Sequence, residues 1–226
     1  MRCYFCEMNR TGDKIDIKNI GLVKVLYLLR SDLDTYTLIN LNVDKINIKG
    51  RGKAFWTYVR NLSISSIALG ISRVYEVEKH NELYSLPGLI RMIENQNLVP
   101  LNRERSKRFF SNYGHFASPG NVSSEFNLKN VVDGFIASKN EELSSFKTFR
   151  DKVIAHGEFG AEIDALPSYA EMEQLFSFAK SFYYVVSSDY IGVGPADLDS
   201  NQYLKAGLKA ILKELLGGNI ESEWES

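Results

Sequence analysis

Residues 149–158 of this chain read FRDKVIAHGE and place Arg150 six positions before His156. Histidine titrates near neutral pH, so its imidazole can accept or donate a proton during a reaction. The planar guanidinium of arginine offers a fork of N–H donors that matches the oxygens of a phosphate. Asp151 directly follows Arg150, where it can orient the arginine or the histidine, or tune the titration of the imidazole. These three residues are the candidate catalytic group, suited to proton transfer beside a phosphate.

The spacing between these residues is not specific by itself, because all three histidines follow an arginine at six or seven positions. Positions seven apart lie about 20° apart around an α-helix, whereas positions six apart lie about 120° apart. Geometry alone would therefore favour the pairs Arg73–His80 and Arg108–His115. Both of those histidines fall in segments that we interpret as loops, and we expect Arg73 to pair with Glu76 or Glu78. Only the segment that ends at His156 reads as continuous helix.

Helical spacing of apolar residues recurs along most of the chain. The helix that carries the motif is expected to be capped by Ser123 or Ser124, to break near residues 137–140, and to end before Gly157. Pro87 suits the first turn of another helix, and Pro167 with Ser168 opens a third. The full set of expected helices covers residues 13–31, 53–77, 86–98, 101–114, 123–156, 165–191 and 196–216.

Two parts of this helical prediction rest on weaker patterns. Residues 36–50 alternate in polarity as a strand would, but no partner strand is evident elsewhere, so we favour a helix or its frayed end. In the long helix over 53–77, five apolar residues lie broadly along one side: Phe55, Val59, Leu62, Ile67 and Ile71. With these segments helical, the sequence predicts one all-helical domain.

The bulk composition excludes several classes of protein. There are 27 Lys and Arg against 28 Asp and Glu, which argues against coating nucleic acid by overall charge, although a local basic patch remains possible. No apolar run is long enough to span a membrane, and the first residues lack the apolar centre of a secretion signal. Cys3 and Cys6 form a lone CxxC without the further ligands of a zinc site, so no metal or cofactor is expected. We expect a cytoplasmic protein.

The segment FKTFRDKVIAHGE resembles the signature of the HEPN superfamily, which comprises helical domains of many prokaryotic defence and toxin systems. That signature is an arginine, usually followed by a polar residue, and then a histidine at the end of a late helix. Arg150, Asp151 and His156 supply it in that order. Upstream, KAFWTYVRNLSISSIALGISRVYE and YSLPGLI resemble the body of the abortive-infection AbiU-like branch. The resemblance covers roughly residues 13–192, and the helix after residue 195 lies outside it.

The resemblance implies a single-domain antiparallel helical bundle of the HEPN type that forms a homodimer, here with an extra C-terminal helix. In active members it implies metal-independent RNA cleavage. One histidine cannot be base and acid at the same instant, so a two-fold dimer that brings two copies of the motif into one cleft would complete the site. We expect the domain to cover residues 13–218, between a flexible segment at 1–12 and an acidic tail at 219–226. Some toxin branches carry a tyrosine two residues after the histidine, where this chain has Glu158.

Basic residues near the motif and in the stretch RERSKR are candidates for contacts with an RNA backbone. For RERSKR a solvated helix face is the expected role and RNA guidance the alternative. The candidate residues are Lys147 and Lys152 beside the motif, and Arg103, Arg105, Lys107 and Arg108 in the basic stretch. The aromatic residues of the helix over 165–191 are expected to form core and dimer seam rather than a platform for bases: Phe176, Phe178, Phe182, Tyr183 and Tyr184.

Two classes of function follow from these residues. The first is an HEPN-type endoribonuclease used in antiviral defence or as a toxin, with RNA as substrate and an antitoxin or neighbouring defence protein as a possible partner. The second is a HEPN dimer that does not cut, and that acts as a sensor binding RNA or protein. The complete set of Arg150, Asp151 and His156 favours the ribonuclease, whereas the near-neutral net charge lends weight to the sensor.

Overall fold

The computed structural model describes residues 21–49, 52–77, 83–117, 127–155, 166–198 and 202–216. Within these ranges the chain is helical and contains no β-strand, which confirms the predicted all-α class. The helices are α1 Gly21–Leu41, α2 Val43–Lys49, α3 Lys53–Tyr75, α4 Leu86–Asn95, α5 Glu104–Tyr113, α6 Leu128–Ser138, α7 Asn140–Phe149, α8 Tyr169–Val185 and α9 Gln202–Leu216. Helices α7 and α8 continue as π-helical segments, Arg150–Ala155 and Val186–Ile191, and a 3₁₀ turn at Gly114–Phe116 follows α5.

Helices α1 and α3 form the central antiparallel pair of the bundle. Near the end of α1, Asn40 accepts a hydrogen bond from Arg60 Nε at 2.8 Å, close to the start of α3. Further back along α1, Leu29 faces Gly70, where an added Cβ would lie 3.4 Å from the leucine Cδ1. Sequence position falls on α1 as it rises on α3, so the two helices run in opposite directions. Helix α8 packs on α1, and α7 packs on α3.

The main hydrophobic core lies between this pair and the later helices, and α8 is its richest contributor. Phe176, Phe178, Phe182 and Tyr183 are buried, as predicted, and Tyr184 packs partly buried against the same core. The ring of Phe178 stacks on Phe135 of α6 with 3.7 Å between ring centroids. Aromatic side chains bury large apolar areas, so this cluster supplies much of the burial that holds the helices together. A role for these residues in a dimer seam stays a prediction.

A second, smaller hydrophobic cluster attaches the C-terminal helix. Leu212 and Leu216 of α9 pack with residues of α1, α2 and α3 around the buried Trp56. Lys205 at the start of α9 also lies with its Nζ 3.2 Å from the buried carboxylate of Asp34 on α1. The extra helix is thus tied to the central pair by both apolar packing and charge.

Several predicted details are wrong. Helix α1 does not end near residue 31 but continues to Leu41. The favoured helical interpretation of the ambiguous segment is confirmed over residues 36–49, with a turn at Asn42. On α3, the apolar residues predicted to lie along one side do not share one environment: Ile67 and Ile71 are buried, whereas Phe55 and Leu62 are each 56% exposed. Helix α6 is capped by Asn127, whose side chain accepts from Asn130 N at 3.2 Å, and not by Ser123 or Ser124.

Other predictions concern residues outside the described ranges. The flexible segment at 1–12, the acidic tail at 219–226 and the helix end before Gly157 are among them, and the domain limits at 13 and 218 stay predictions. The predicted break between α6 and α7 is confirmed at Lys139, and Ser168 caps α8 as expected, through a capping box with Glu171. No helix in the described part of the chain is long and apolar enough to cross a membrane.

Candidate functional site

Arg150 stands at the point where α7 changes from α-helical to π-helical bonding. Phe146 and Phe149, in the last turn of α7, are buried in the main core and fix the direction in which the helix ends. The π-helical segment Arg150–Ala155 follows without a break. The motif was predicted to lie in a continuous α-helix, so this change is a correction. Single π-helical turns are rare in proteins, but those that occur are often found at functional sites.

The guanidinium of Arg150 is held by two carboxylates and is still available for a ligand. Its Nε donates a hydrogen bond to Asp151 Oδ1 at 2.9 Å, while its Nη1 lies 3.6 Å from Glu76 Oε1. The longer distance is outside hydrogen-bond range, so the contact with Glu76 is a loose ion pair. The Arg150 side chain is 26% exposed. Within the described residues its two terminal nitrogens make no hydrogen bond, and Nη1 is engaged by this loose ion pair.

Arg150 lines a cleft of about 330 Å³ at the junction of α1, α3 and the π-helical segment. Apolar side chains of α1 and α3 form much of its wall, and polar and charged groups stand among them. The lining residues are Val25, Leu28, Leu29 and Asp32 of α1, Ser66, Leu69, Gly70 and Arg73 of α3, Glu76 just after α3, and Arg150. The volume falls at the lower end of the range for small-molecule sites. The sequence motif alone gave no indication of this cleft.

Asp32 is the carboxylate of this cleft that lies on α1. Burial raises its pKa from 3.8 to about 6, and a hydrogen bond from Ser66 acts in the opposite direction. The hydroxyl of Ser66 donates to Asp32 Oδ2 at 2.5 Å. Ser66, which contacts Asp32, and Arg73 lie seven residues apart on α3, so Asp32 and Arg73 occupy different parts of the cleft. Desolvation disfavours the charged form of a carboxyl group, so Asp32 titrates closer to neutral pH than an exposed aspartate.

Arg73 does not pair with Glu76, the first of its two predicted partners. Its guanidinium lies over the ring of Tyr84, 5.4 Å from the ring centroid, and it lines the cleft together with Arg150. Glu76 follows the end of α3 with extended backbone angles, φ −68° and ψ 134°. The extended conformation takes its side chain off the helical face and towards Arg150. The alternative partner, Glu78, lies outside the described residues.

The basic stretch RERSKR forms the start of α5, as predicted, but does not line the cleft. Helix α5 packs on α8, where Phe109 is buried and Ser106 donates to the buried Asp189 through its N and its Oγ, both at 2.6 Å. This packing turns the basic side chains outward. Arg103, Lys107 and Arg108 are exposed and Arg105 is half-buried, whereas Lys147 and Lys152 are exposed on either side of Arg150. The structure therefore brings the two lysines, but not α5, near the motif.

Of the three histidines, only His115 lies within the described residues. His156, the second half of the motif, lies just beyond the last described residue of the π-helical segment, and His80 also lies outside the described ranges. His115 sits exposed in the 3₁₀ turn after α5, with its ring 4.1 Å from that of Phe116. In the part of the chain that is described, no group of three or more His, Cys, Asp or Glu side chains is placed to hold a metal ion.

Comparison with known families decides the relationship. The family model HEPN_AbiU2, described as AbiU2, matches residues 28–207. This chain belongs to the AbiU2 family of HEPN domains. The match runs from α1 into α9. It includes the Arg150 motif and every residue that lines the cleft except Val25, so it confirms the resemblance drawn from the sequence. Searches of curated proteins and of solved structures each found no match. The all-helical bundle is the fold expected for an AbiU2-family HEPN domain.

Proposed function

We propose that this AbiU2-family protein is a metal-independent endoribonuclease that acts in antiviral defence or as a toxin. The observation that carries the proposal is the state of Arg150. Its guanidinium stands at a π-helical turn in the wall of a cleft, and its terminal nitrogens make no hydrogen bond within the described residues. A planar fork with open donors can bind two oxygens of one phosphate, and it can stabilise the charge that develops when that phosphate reacts.

The reaction is a transfer of the phosphodiester to the neighbouring 2′-oxygen of the RNA. A base removes the 2′-hydroxyl proton, the 2′-oxygen bonds to phosphorus, and the bond from phosphorus to the 5′-oxygen breaks. An acid then gives a proton to that leaving oxygen, so the products are a 2′,3′-cyclic phosphate and a 5′-hydroxyl. His156 of one copy acts as the base and His156 of a second copy as the acid, in a composite site of a homodimer.

The other residues of the motif have supporting roles in this proposal. Asp151 is a positioning residue, since its carboxylate accepts from Arg150 Nε and fixes the plane of the guanidinium. Lys147 and Lys152 are exposed beside it and attract the flanking phosphates of the strand. The basic residues of α5 lie on another face and contribute only to the general attraction of RNA. An antitoxin or a neighbouring defence protein as partner, and a cytoplasmic location, stay predictions.

The test is cleavage of a broad RNA panel by the purified wild type, Arg150→Ala and His156→Ala, with EDTA present throughout. Arg60→Ala is the matched control, because Arg60 lies on α3 outside the cleft, over the ring of Tyr36. Arg73 is unsuitable as a control because it lines the cleft. We expect the rate of RNA cleavage to fall about 100-fold or more in both motif variants. The control should cleave at the wild-type rate. Analysis of the RNA ends should show 2′,3′-cyclic phosphates.

Two further results test the composite site of the dimer and the alternative function as a sensor. Specific activity should fall when the protein is diluted below its dimer dissociation constant, measured by sedimentation. Equal cleavage by all variants would mean that the activity is a contaminant or lies elsewhere. A wild type that cuts nothing would favour a sensor that binds RNA or protein, a function with which Glu76 and Asp151 are compatible, because two carboxylates beside Arg150 weaken the attraction of RNA.

A further inference from the structure

The cleft beside Arg150 combines two kinds of polar group that a single ligand would have to satisfy. Asp32 is an acceptor whose one hydrogen bond within the described residues comes from Ser66, so a ligand at this end must supply donors. Arg73 and Arg150 carry only donors, so a ligand at that end must supply acceptors, and their charge favours an anion. Ser66, which contacts Asp32, lies seven residues before Arg73 on α3, so the two ends are separate.

The distance between the two ends is set by helix α3. Ser66 and Arg73 are seven residues apart, so they lie on the same face of the helix with a rise of roughly 10 Å between them. Gly70 stands between them on that face and lines the cleft, with Leu29 of α1 packed against it. A nucleoside monophosphate, with its base edge at one end and its phosphate at the other, can span this distance.

The walls of the cleft suit the flat apolar body of a base. Val25, Leu28, Leu29 and Leu69 supply aliphatic surface between the two polar ends. Sites for small ligands commonly combine such apolar walls with a few placed polar groups that fix the orientation. Proteins that read single-stranded RNA similarly hold an unstacked base by its flat faces and read its edge by hydrogen bonds.

The chemistry of Asp32 selects among the four bases. Guanine presents two adjacent donors, N1–H and the 2-amino group, which match a carboxylate. Adenine and cytosine present one amino group next to a ring-nitrogen acceptor, and uracil presents one N–H between two carbonyl oxygens. A carboxylate repels those neighbouring acceptors. We propose that this cleft is a guanine-nucleotide subsite, in which Asp32 with Ser66 reads the base edge and Arg73 with Arg150 holds the phosphate.

This inference rests on the proposed ribonuclease function for its biological source, because the guanine would belong to the RNA that Arg150 acts upon. A free guanine nucleotide carries the same chemistry, so the experiment has one arm for each source. The first arm measures the binding of GMP, AMP, CMP and UMP to the full-length wild type by calorimetry. The second arm maps cleavage positions in RNAs that differ only in the placement of guanosines.

The variants are Asp32→Asn, which has nearly the same shape, and Ser66→Ala, with Asp133→Asn as the control because Asp133 is an exposed aspartate of α6. We expect GMP to bind the wild type about tenfold or more tighter than the other nucleotides, in the range of one well-made base contact. Asp32→Asn should abolish this preference and the control should keep it. Arg73→Ala should weaken the binding of all four nucleotides by the same factor. A wild type without preference, or a preference that survives Asp32→Asn, would overturn the proposal.

The pH dependence gives an independent reading. The ratio of GMP to AMP affinity should rise as the pH is raised through about 6, where Asp32 becomes ionised, and both ligands carry the same phosphate. The charged groups that line the cleft with Asp32 are Arg73 and Glu76 from the end of α3 and Arg150 from the π-helical segment. A ratio that is flat with pH would count against a carboxylate reading the base.

The two proposals fail in different ways. If guanine selectivity depends on Asp32 but no RNA is cut, the subsite stands and the ribonuclease proposal fails. If RNA is cut through Arg150 without preference for guanosine and GMP is not favoured, the ribonuclease stands and the subsite fails.

Discussion

Arg30 and Arg150 each contact two carboxylates, but the two guanidinium groups are held in opposite ways. Arg30 donates from Nε to Asp34 Oδ1 at 2.9 Å and from Nη1 to Glu173 Oε1 at 2.7 Å, and its side chain is only 12% exposed. Burial lowers the pKa of Arg30, yet the two carboxylates outweigh it and raise that pKa above its usual value. Among the described residues, Arg150 has one hydrogen bond, to the adjacent Asp151, and one loose ion pair.

The difference teaches how to separate a structural arginine from one available to a ligand. Arg30 links α1 to α8 through hydrogen bonds that use its donors inside the bundle, and its face packs over the ring of Phe176. Removing any of these partners leaves a buried charge, so the group is part of the folded core. Arg150 keeps its terminal donors at the wall of a cleft, where a phosphate oxygen can take them without disturbing the core.

The largest effect on stability is expected at the Arg30 end of this comparison. Asp34→Ala removes a fully buried carboxylate and leaves Arg30 and Lys205 without it. Breaking a buried pair from one side destabilises a protein by about 3–5 kcal/mol. Urea unfolding should show a loss in this range for Asp34→Ala, and a loss below about 1 kcal/mol would mean that Arg30 is held less firmly than its contacts indicate.

The opposite result is expected at Arg150. Arg150→Lys keeps the charge but loses the planar fork, so RNA cleavage should fall at least about tenfold while the free energy of unfolding changes by less than about 0.5 kcal/mol. Single-turnover rates and urea unfolding on the same preparation measure both. Full activity in the lysine variant would show that a point charge suffices, and would contradict the role proposed for the planar guanidinium.

A third expectation concerns Asp32 and the pH. Its pKa in the folded protein is about 6, against 3.8 for an unperturbed aspartate, so between these values the folded state binds more protons than the unfolded state. Stability should therefore fall as the pH rises through this window. Above it, Asp32→Asn should be more stable than the wild type, by about 1 kcal/mol once solvent screening is allowed for. Thermal unfolding at pH 4, 5, 6 and 7 checks the slope, and parallel curves for the two proteins would contradict it.

The smallest effect is expected on the basic helix α5. Arg108 is exposed on a face that does not line the cleft, so Arg108→Ala should change the cleavage rate less than twofold at fixed salt. If RNA does reach this helix, the variant should reduce the salt dependence of RNA binding by about one counterion. Fluorescence titrations at several salt concentrations separate the two cases. A large loss of activity would bring α5 into the site.

The sequence was sufficient for the helical class and the family, because both depend on local patterns. Helical periodicity is read within a few turns, and the motif around Arg150 is contiguous. The end of α1 was misplaced for a physical reason. Asp32 and Asp34 look like a polar break between helices, but Asp34 is buried through its ion pairs with Arg30 and Lys205, the latter more than 170 residues away in the sequence. Partners that far away leave no local signal.

The cleft was missed because it is made of residues from three distant segments. Asp32, Ser66 and Arg73 each look like ordinary polar residues of a helix surface, and only the antiparallel packing of α1 and α3 brings them together. One signal was present in the sequence: Ser66, Gly70 and Arg73 recur at helical spacing on one face, with a residue lacking a side chain among them.

The π-helical segment after α7 makes the site depend on the number of residues as well as on their kinds. Its hydrogen bonds join residues five apart instead of four, so it holds one residue more than an α-helical turn of the same height. Deleting a single residue between 150 and 155 would let the segment return to α-helical bonding at nearly the same height and angle, so the positions after it would keep their orientation. A sequence that aligned with this one except for one gap here would therefore keep the direction of the helix, while its arginine and histidine would stand five positions apart instead of six.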